Sequence, residues 1–354
     1  MTENAKLDSI QLLDTTLRDG GLGLEDAHLN GIEAGIYTHE QIKAIVNLNR
    51  DAGYDIIELG SIEISQDDKT RFAIYQSIQD ISKNIPERKQ DGQLFVALFR
   101  GPDTPIEDLP EHNAQLIDGV RVILRYSELR KSLDFCEVLA AKGYKVFIQP
   151  MVTMRYTDDE LALIVEYANR MNAYSVYFVD SYGYMEFKDI LRLYNFFNKG
   201  LKANIRIGFH AHNNINLAFA NAIMFIEHAE GRKIVIDSSA TGMGQGAGNL
   251  QSEIIANYLN EKYAKHYDYS SILGVCEIVS TMLKDNTWGY SVTRLLPAIH
   301  HAAYKYAVSM RHKYHMTFNE IDTMFRDMPN DLKQRYTVDN LKTVLKSHGY
   351  EVKE

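Results

Sequence analysis

Eight short runs of apolar residues, rich in β-branched side chains, recur along this chain and constrain its fold more than any other feature. The runs are continuously apolar rather than alternating, which is typical of strands that are buried on both faces of a parallel sheet. Most runs lie about 25–30 residues apart with helical patterns between them, which is the repeat of a (β/α)₈ barrel. The predicted strands span residues 10–16, 54–60, 94–99, 119–124, 145–150, 175–180, 205–210 and 234–239.

A doubly wound open sheet is the alternative fold. Such a sheet usually carries a glycine-rich phosphate turn after its first strand, and TTLRDGGLG (15–23) does not match the G-x-G-x-x-G pattern. We therefore predict a TIM barrel over residues 8–264. Residues 265–354 have helical patterns and no strand pattern, so we predict a C-terminal helical appendage that packs against the barrel or against another subunit.

Helix-start patterns support the same division of the chain. Thr38 with Gln41, and Thr157 with Glu160, have the spacing of capping boxes ahead of apolar periodic segments. A further helix is predicted from a stripe of isoleucines at helical spacing, Ile74, Ile78, Ile81 and Ile85.

Composition limits the classes of function. The 354 residues are 45% apolar, enough to build a full core, and the formal net charge of −9 argues against a nucleic-acid-binding protein. The N-terminus lacks the basic and apolar blocks of a signal peptide, and no apolar run reaches the ~18 residues of a membrane span. The two cysteines, Cys136 and Cys276, form no disulfide framework. We expect a cytoplasmic protein that binds neither nucleic acid nor a membrane.

Polar residues gather where the predicted strands end, which is the edge at which barrel enzymes place their active sites. His210 and His212 end the seventh strand, and residues two apart on an extended chain project to the same side. Asp19 follows the first strand, which only the eighth strand separates from the seventh in a closed barrel. Two imidazoles and a carboxylate would form an open site for Mn²⁺, Mg²⁺, Zn²⁺ or Fe²⁺, and Asn249 would add an amide oxygen.

Each of these motifs has a simpler interpretation when it is taken alone. A lone His-x-His pair is more often structural than metal-binding, RDGG is a turn with a charged pair, and GMGQGAGN is a flexible loop. Their order and their placement at consecutive strand ends favour a metal site. Arg18 would then hold a 2-oxo acid with its planar guanidinium and stabilise negative charge on the keto oxygen. A surface ion pair between Arg18 and Asp19 fits poorly at the mouth of a barrel.

Three segments, LDTTLRDGG (13–21), GFHAHNNINLAFANA (208–222) and DSSATGMGQGAGNLQSE (237–253), resemble the metal-dependent aldolase–lyase–synthase superfamily. The resemblance covers about residues 10–262, and GMGQGAGN and VDSYG bring the chain nearest to the 4-hydroxy-2-oxovalerate aldolase branch. It implies a TIM barrel whose divalent metal is held by Asp19, His210 and His212, with Asn249 completing the set. Mn²⁺ is the expected ion, and Mg²⁺, Zn²⁺ and Co²⁺ are alternatives.

The resemblance also implies roles around the metal. Arg18 would bind the keto and enolate oxygens, and Ser181 would contact the substrate carboxylate. WGYSVTRLL (288–296) matches the place of a catalytic tyrosine and points to Tyr290, for which packing is the alternative role. The aldolases carry a general-base histidine where this chain has Leu22, so proton transfer must come from another residue or the activity differs. The candidate groups are His28, Tyr126, Tyr182 and Tyr290.

The predicted activity is that of a metal-dependent aldolase, a carbon–carbon lyase that acts through a pyruvate-type enolate on a 4-hydroxy-2-oxo acid and an aldehyde. A Claisen-type synthase that joins an acyl-CoA to a 2-oxo acid is the alternative, although the short C-terminal part shows no α/β regulatory module. A hydroxymethylglutaryl-CoA lyase uses a cysteine in the glycine-rich loop, and residues 242–249 contain none. Leu22 keeps a non-catalytic barrel scaffold as a further alternative.

Predicted partners follow from the same resemblance. Aldolases of this branch often pair with an acylating aldehyde dehydrogenase, and a homodimer is the expected assembly. Arg125 and Arg130, after the fourth strand, either hold a phosphate or sugar acid or are solvated charges at a helix start, and the solvated interpretation is favoured.

Overall fold

Eight parallel strands close into a barrel in the computed structural model, which describes residues 9–65, 67–86, 91–229, 231–282 and 288–350. The strands are β1 (Ile10–Asp14), β2 (Ile56–Ile62), β3 (Leu94–Phe99), β4 (Gly119–Leu124), β5 (Lys145–Pro150), β6 (Ser175–Asp180), β7 (Arg206–Ala211) and β8 (Ile234–Ser238). Each strand pairs with the next along the chain, and β1 closes the barrel by pairing with both β2 and β8. The predicted (β/α)₈ barrel is therefore confirmed.

Helices cover the barrel and continue beyond it. They are α1 (Thr16–Leu29), α2 (His39–Asp51), α3 (Ile78–Ser82), α4 (Leu129–Ala141), α5 (Asp158–Met171), α6 (Phe187–Gly200), α7 (Ala218–His228), α8 (Ser252–Tyr263), α9 (Tyr269–Ser280), α10 (Val292–Ile299), α11 (Lys305–His312), α12 (Phe318–Asp327), α13 (Asn330–Lys333) and α14 (Val338–Ser347). Short 3₁₀ turns occupy Thr70–Phe72, Ile106–Asp108, Tyr126–Glu128, Thr153–Arg155 and Ala240–Gly242. The capping boxes predicted at Thr38 and Thr157 are both present, each with its side chain accepting from the third residue of the helix.

The segment that follows β1 differs from its prediction. The predicted strand ran to residue 16 and a turn followed, whereas α1 begins at Thr16 and is buried almost all round from Thr16 to Ala27. Two glycines permit this packing. A Cβ on Gly21 would lie 1.9 Å from the carbonyl oxygen of Phe72, and a Cβ on Gly23 would lie 2.6 Å from that of Gly244. The glycines of RDGGLG therefore allow α1 to pack directly on neighbouring backbone at the barrel mouth.

The predicted isoleucine helix is shorter than its stripe indicated. Only Ile78–Ser82 is helical, and Ile74 instead lies in a two-residue strand, Ile74–Tyr75, that pairs with the end of β2. Ile74 and Ile78 are both buried, so the apolar spacing predicted their burial correctly. Burial of both ends of a short segment does not distinguish a helix from a strand.

The C-terminal part packs in two ways. Ile272, Val275 and Val279 of α9 join the barrel core, whereas a second apolar cluster forms from residues between Leu296 and Leu345. The predicted boundary between residues 264 and 265 stays a prediction, and residues 8 and 351–354 lie outside the described residues. None of the described helices is both long enough and apolar enough to traverse a bilayer.

Three contacts join the C-terminal part of the chain to the barrel mouth. Tyr182, just after β6, donates its hydroxyl to the carbonyl of Gln334 at 2.7 Å. Lys305 pairs with Asp26 of α1 at 2.7 Å, and Tyr304 donates to the same carboxylate. The C-terminal helices therefore cover the end of the barrel at which the strands finish.

Candidate metal centre

Arg18 and Asp19 lie in the first turn of α1, which starts two residues after β1 ends. This placement holds both side chains at the carboxyl end of the barrel. Arg18 is 6% exposed and Asp19 is 1% exposed, and Arg18 Nη1 lies 2.5 Å from Asp19 Oδ1. The pair is buried at the barrel mouth and is not the solvated surface pair that the alternative interpretation required.

His210 and His212 lie at the end of β7 and just beyond it, and both rings face Asp19. Their Nε2 atoms lie 3.9 Å and 3.5 Å from Asp19 Oδ2 respectively. Among the described residues, these three form the group of histidine, cysteine and acidic side chains that could hold a metal ion, with ligand atoms all within 4.8 Å of one another. The structure thus brings together the predicted set from strands that are far apart in sequence.

Hydrogen bonds to the other ring nitrogens orient both imidazoles. Nδ1 of His212 lies 3.0 Å from the carbonyl oxygen of Asp180, and Nδ1 of His210 lies 2.8 Å from Asp237 Oδ2. A carbonyl oxygen only accepts, so Nδ1 of His212 carries a proton. In the neutral ring Nε2 then has a free lone pair, which is the arrangement that metal-binding histidines adopt.

The residues present fit a divalent cation. Two ligands that share a cation at ~2.1 Å are about 3.0–3.4 Å apart. Nε2 of His212 lies close to that separation from Asp19 Oδ2, whereas Nε2 of His210 lies further away. Nε2 of His212 and Oδ1 of Asn249 are both buried, and neither atom has a hydrogen-bond partner among the described residues. Asn249 Nδ2 donates to Asp19 Oδ2 at 2.6 Å, so the amide lies directly beside the centre. Buried polar atoms without partners are costly, and a bound cation would satisfy them.

The charges of the three residues follow from their surroundings. Burial would raise the pKa of Asp19, but Arg18 holds that pKa well below its usual range. Burial lowers the pKa of His210 to about 4, so this ring is neutral near neutral pH. Burial would also lower the pKa of His212, but Asp19 outweighs it and raises that pKa above 6.5. Asp19 is therefore anionic, and the proton of His212 competes with a cation.

A network of buried charged side chains inside the barrel forms hydrogen bonds with residues of the candidate metal centre. Arg121 is fully buried, donates to Glu58 Oε2 at 2.6 Å and also pairs with Asp237. Glu58 Oε2 accepts from Arg18 Nε at 2.8 Å, while Asp237 holds His210. Arg121 therefore links Arg18 and His210 through two carboxylates. Sequence analysis missed Arg121 and Asp237, whose signal was a charged residue inside an otherwise apolar strand.

The glycine-rich loop after β8 lies against Asp19. A Cβ on Gly244 would lie 2.7 Å from Asp19 Oδ2 and 2.3 Å from Asn249 Nδ2. Gln245, the next residue, donates to Asp26 at 2.6 Å. The loop is thus a close-packed wall of the centre, and glycine at 244 leaves room for the Asp19 and Asn249 side chains.

The remaining predicted residues occupy different positions. Ser181 follows β6 and accepts a hydrogen bond from the backbone N–H of Val152 at 2.7 Å, which leaves its own proton free to be donated. Tyr290 is 56% exposed, and no hydrogen bond joins it to the centre in the described part of the chain. The functional roles of Ser181, Tyr290 and Asn249 stay predictions.

The candidate proton-transfer groups also differ in environment. Leu22 is buried in the barrel core. His28 is exposed near the far end of α1, and Tyr126 stacks under the guanidinium of Arg155. Tyr182 already donates its hydroxyl to Gln334. Tyr304, which sequence analysis did not select, is held at the mouth by Asp26, and burial raises the pKa of its phenol well above 10.

Comparison with known proteins gives concordant results. The family model described as HMGL-like matches residues 9–279, which span the barrel and α9. A 4-hydroxy-2-oxovalerate aldolase from Geobacillus genomosp. 3 is 25% identical over 280 residues, covering 78% of this chain and 79% of its own. The enzyme of the same name from Thermomicrobium roseum is 29% identical over 257 residues, covering 71% of this chain and 67% of its own.

A solved structure extends the similarity to the C-terminal helices. The carboxyl transferase domain of pyruvate carboxylase from Rhizobium etli superposes with a TM-score of 0.66 at 13% identity. The match covers 98% of this chain and 62% of that chain. At this identity the likeness is one of fold alone.

Proposed function

The chain belongs to the HMGL-like family, and we propose that it is a divalent-metal-dependent aldolase that acts on a 2-oxo acid and an aldehyde. The relatives that carry the name 4-hydroxy-2-oxovalerate aldolase support a carbon–carbon lyase. The single observation that carries the proposal is the convergence of Asp19, His210 and His212 beside a buried guanidinium, that of Arg18. A metal site next to a fixed cation suits a reaction in which negative charge develops on a carbonyl oxygen.

Asp19, His210 and His212 would hold the cation, with Asn249 at hand as an amide ligand. A divalent cation bound there would act as a Lewis acid and favour the enolate of a 2-oxo acid. Mn²⁺ is the ion that we propose, with Mg²⁺, Zn²⁺ and Co²⁺ as alternatives, because a site of two imidazoles and a carboxylate accepts several such ions.

Arg18 would bind and orient the substrate. Its Nη1 contacts Asp19 and its Nε contacts Glu58, so the guanidinium plane is fixed before substrate arrives. Burial would lower its pKa, but Asp19 and Glu58 raise it, and the group keeps its charge. A preorganised cation stabilises developing negative charge without the reorganisation that water requires.

Bond making and breaking follow from that stabilisation. In the cleavage direction the hydroxyl at carbon 4 releases its proton to solvent and the bond between carbons 3 and 4 breaks. The aldehyde departs, and the electron pair is left on the 2-oxo acid as its enolate, whose oxygen Arg18 contacts. Uptake of one proton from solvent at carbon 3 then completes the 2-oxo acid and balances the proton that the hydroxyl released. Ser181 would donate its free proton to the substrate carboxylate.

Proton exchange tests the proposal directly. Catalytic amounts of metal-loaded protein are incubated with pyruvate in D₂O, the protein is removed, and the methyl protons are followed by NMR. We expect metal-dependent loss of the methyl signal, because enolate formation exchanges those protons. The matched control is Asp19→Asn, which keeps the side-chain shape and removes the charge. Absence of exchange in the wild type with every divalent ion, or equal exchange in Asp19→Asn, would contradict the proposal.

Two further assays address the alternatives and the partners. Thiol release from acetyl-CoA in the presence of 2-oxo acids would favour the Claisen-type synthase over the aldolase. An acylating aldehyde dehydrogenase partner, a homodimer and a cytoplasmic location are part of the proposal, and size-exclusion chromatography with light scattering tests the assembly.

A further inference from the structure

A polar cleft separates the barrel mouth from the C-terminal helices. It consists of two adjoining cavities of about 460 and 580 Å³, and both are lined by Arg155, Asp331 and Gln334. One wall is formed by the segments that follow β4 and β5, around Arg125 and Arg155. The other wall is formed by the chain between α13 and α14, around Arg335. The cleft therefore lies at the same end of the barrel as the candidate metal centre.

Basic side chains outnumber acidic ones along this cleft. Arg125, Arg155, Lys333 and Arg335 face it, against Glu128 and Asp331, although the whole chain has a formal net charge of −9. Arg125 is already paired with Asp103 and Glu128. Arg155 and Arg335, by contrast, form no ion pair with any carboxylate in the described part of the chain. A locally positive cleft in an acidic protein attracts anions.

Neighbouring residues hold both of these arginines in place, Arg155 through its side chain and Arg335 through its backbone. Arg155 lies 4.0 Å above the ring of Tyr126, which packs edge-on against Tyr156. The carbonyl of Arg335 accepts from Tyr306 Oη at 2.9 Å and from Asn340 Nδ2 at 3.0 Å. No hydrogen bond from either guanidinium to a described residue is present, so the donors of both side chains are available to a ligand. Such planar donor groups match the oxygens of a phosphoryl group, which they bind in pairs.

A short series of contacts connects the cleft to the metal centre. Val152 lines the cleft and donates its N–H to Ser181 Oγ, and Asp180, the preceding residue, holds Nδ1 of His212. Val152 has φ +54, a conformation that β-branched residues rarely adopt, and this turn aims its N–H at Ser181. Tyr182, which follows Ser181 in the chain, donates its hydroxyl to the carbonyl oxygen of Gln334, a residue that lines the cleft. Three consecutive residues at the β6 end, Asp180 to Tyr182, therefore connect the lining of the cleft with the metal centre.

We propose that this cleft binds the phosphoryl group of a phosphorylated aldehyde, the acceptor in the aldol reaction. The role of the ligand as an aldol acceptor rests on the proposed function. Its phosphoryl group is inferred from Arg155 and Arg335. The aldehyde end would point to the metal centre past Ser181, and the phosphoryl oxygens would accept from the two guanidiniums. Lys333 would raise the local potential, since its charge lines the same cleft.

The test uses the full-length protein and the double variant Arg155→Ala/Arg335→Ala. Binding of inorganic phosphate and of glyceraldehyde 3-phosphate is measured by calorimetry without pyruvate. We expect both ligands to bind the wild type and to bind the double variant at least about tenfold more weakly, because charge-assisted contacts are lost. Arg130→Ala is the matched control, since Arg130 is an exposed arginine on α4 outside the cleft lining, and it should bind as the wild type does.

Turnover separates the acceptor role from simple anion binding. With pyruvate, kcat/KM for glyceraldehyde 3-phosphate should fall at least about tenfold in the double variant, while kcat/KM for neutral glyceraldehyde changes less than about twofold. A wild type that binds neither phosphate nor glyceraldehyde 3-phosphate overturns the proposal. So does an equal loss for both aldehydes, a loss in Arg130→Ala, or a preference for the carboxylated succinic semialdehyde over the phosphorylated aldehyde.

Failure of the proposed function gives a different pattern from failure of this inference. If the protein is not an aldolase, the pyruvate methyl protons do not exchange in D₂O, whatever happens in the cleft. If only the cleft assignment is wrong, exchange proceeds normally and is unchanged in Arg155→Ala/Arg335→Ala, while phosphate binding is absent from the wild type.

Discussion

The carboxylate of Asp237 lies 2.8 Å from Nδ1 of His210, and this contact turns Nε2 of the ring toward Asp19. The same carboxylate accepts from the hydroxyl of Tyr177 at 2.9 Å and pairs with the buried guanidinium of Arg121. The orientation of a candidate metal ligand is thus set by a carboxylate that is itself held on both sides. Outer partners of this kind orient the ligand and tune its affinity for the metal.

Asp237→Asn should therefore weaken metal binding. Loss of the negative charge behind His210 lowers the basicity of the ring, and we expect affinity for Mn²⁺ or Zn²⁺ to fall about 10- to 100-fold. Competition titration with a chromophoric chelator measures it. Tyr177→Phe is the matched control, because it removes a partner of Asp237 on the side away from His210, and its affinity should stay within a few-fold. Equal loss in the two variants would show that Asp237 acts only through packing.

Arg121→Met should destabilise the fold. The substitution keeps an unbranched side chain of similar length but leaves Glu58 and Asp237 buried without their shared cation. Breaking a buried ion pair from one side costs about 3–5 kcal/mol of unfolding free energy, which urea denaturation would measure. Arg130→Met, on the surface of α4, should change stability by less than about 0.5 kcal/mol. A near-neutral result for Arg121→Met would mean that the two carboxyls simply take up protons when the cation is removed.

Metal binding should stabilise the protein through its ligands. At about 100 times the dissociation constant, a cation that binds only the folded state adds about 2.7 kcal/mol, which raises the melting temperature. Differential scanning fluorimetry with and without metal should show this rise in the wild type. In His212→Gln the rise should be small or absent, because Nε2 is lost from the set. An undiminished shift in that variant would place the binding site elsewhere.

Metal affinity should fall as the pH is lowered from about 8 to about 6. The pKa of His212 is raised by Asp19, so below that pKa a proton occupies the ring and must leave before a cation binds. The pKa of His210 is about 4, so His210 adds no pH dependence in this range. Calorimetry in buffers of different ionisation enthalpy would count the released protons. Affinity that is constant, or that increases toward acid pH, would be inconsistent with a role for His212 as a ligand.

Gly21→Ala should disturb the barrel mouth. The added Cβ would lie 1.9 Å from the carbonyl oxygen of Phe72, which forces α1 away from its neighbours and shifts Asp19, two residues earlier. We expect a loss of unfolding free energy of several kcal/mol together with weaker metal binding. Gly31→Ala is the comparison: a Cβ there meets open space, and φ +69 costs it only about 1 kcal/mol. Wild-type metal affinity in Gly21→Ala would show that Asp19 does not depend on this close packing.

Local patterns explain which parts of the structure were predictable. The apolar runs gave eight strands because continuous apolarity reflects burial on both faces, and the capping boxes gave two helix starts because their hydrogen bonds are local. The His-x-His spacing placed both rings on one side because strand side chains alternate. The same reasoning was wrong where burial and secondary structure separate, as for Ile74, and where a helix is buried all round, as for α1.

The sequence by itself determined the barrel and the histidine pair, because strand burial and i, i+2 geometry are properties of short segments. Only the tertiary structure decided which nitrogen each imidazole presents, since Asp180 and Asp237 lie 32 and 27 residues from their histidines. It also decided that Arg121 joins Arg18 to His210 and that Arg155 faces Arg335 across a cleft. Such long-range contacts depend on how closed strands and docked helices meet in space, which no periodicity in the chain records.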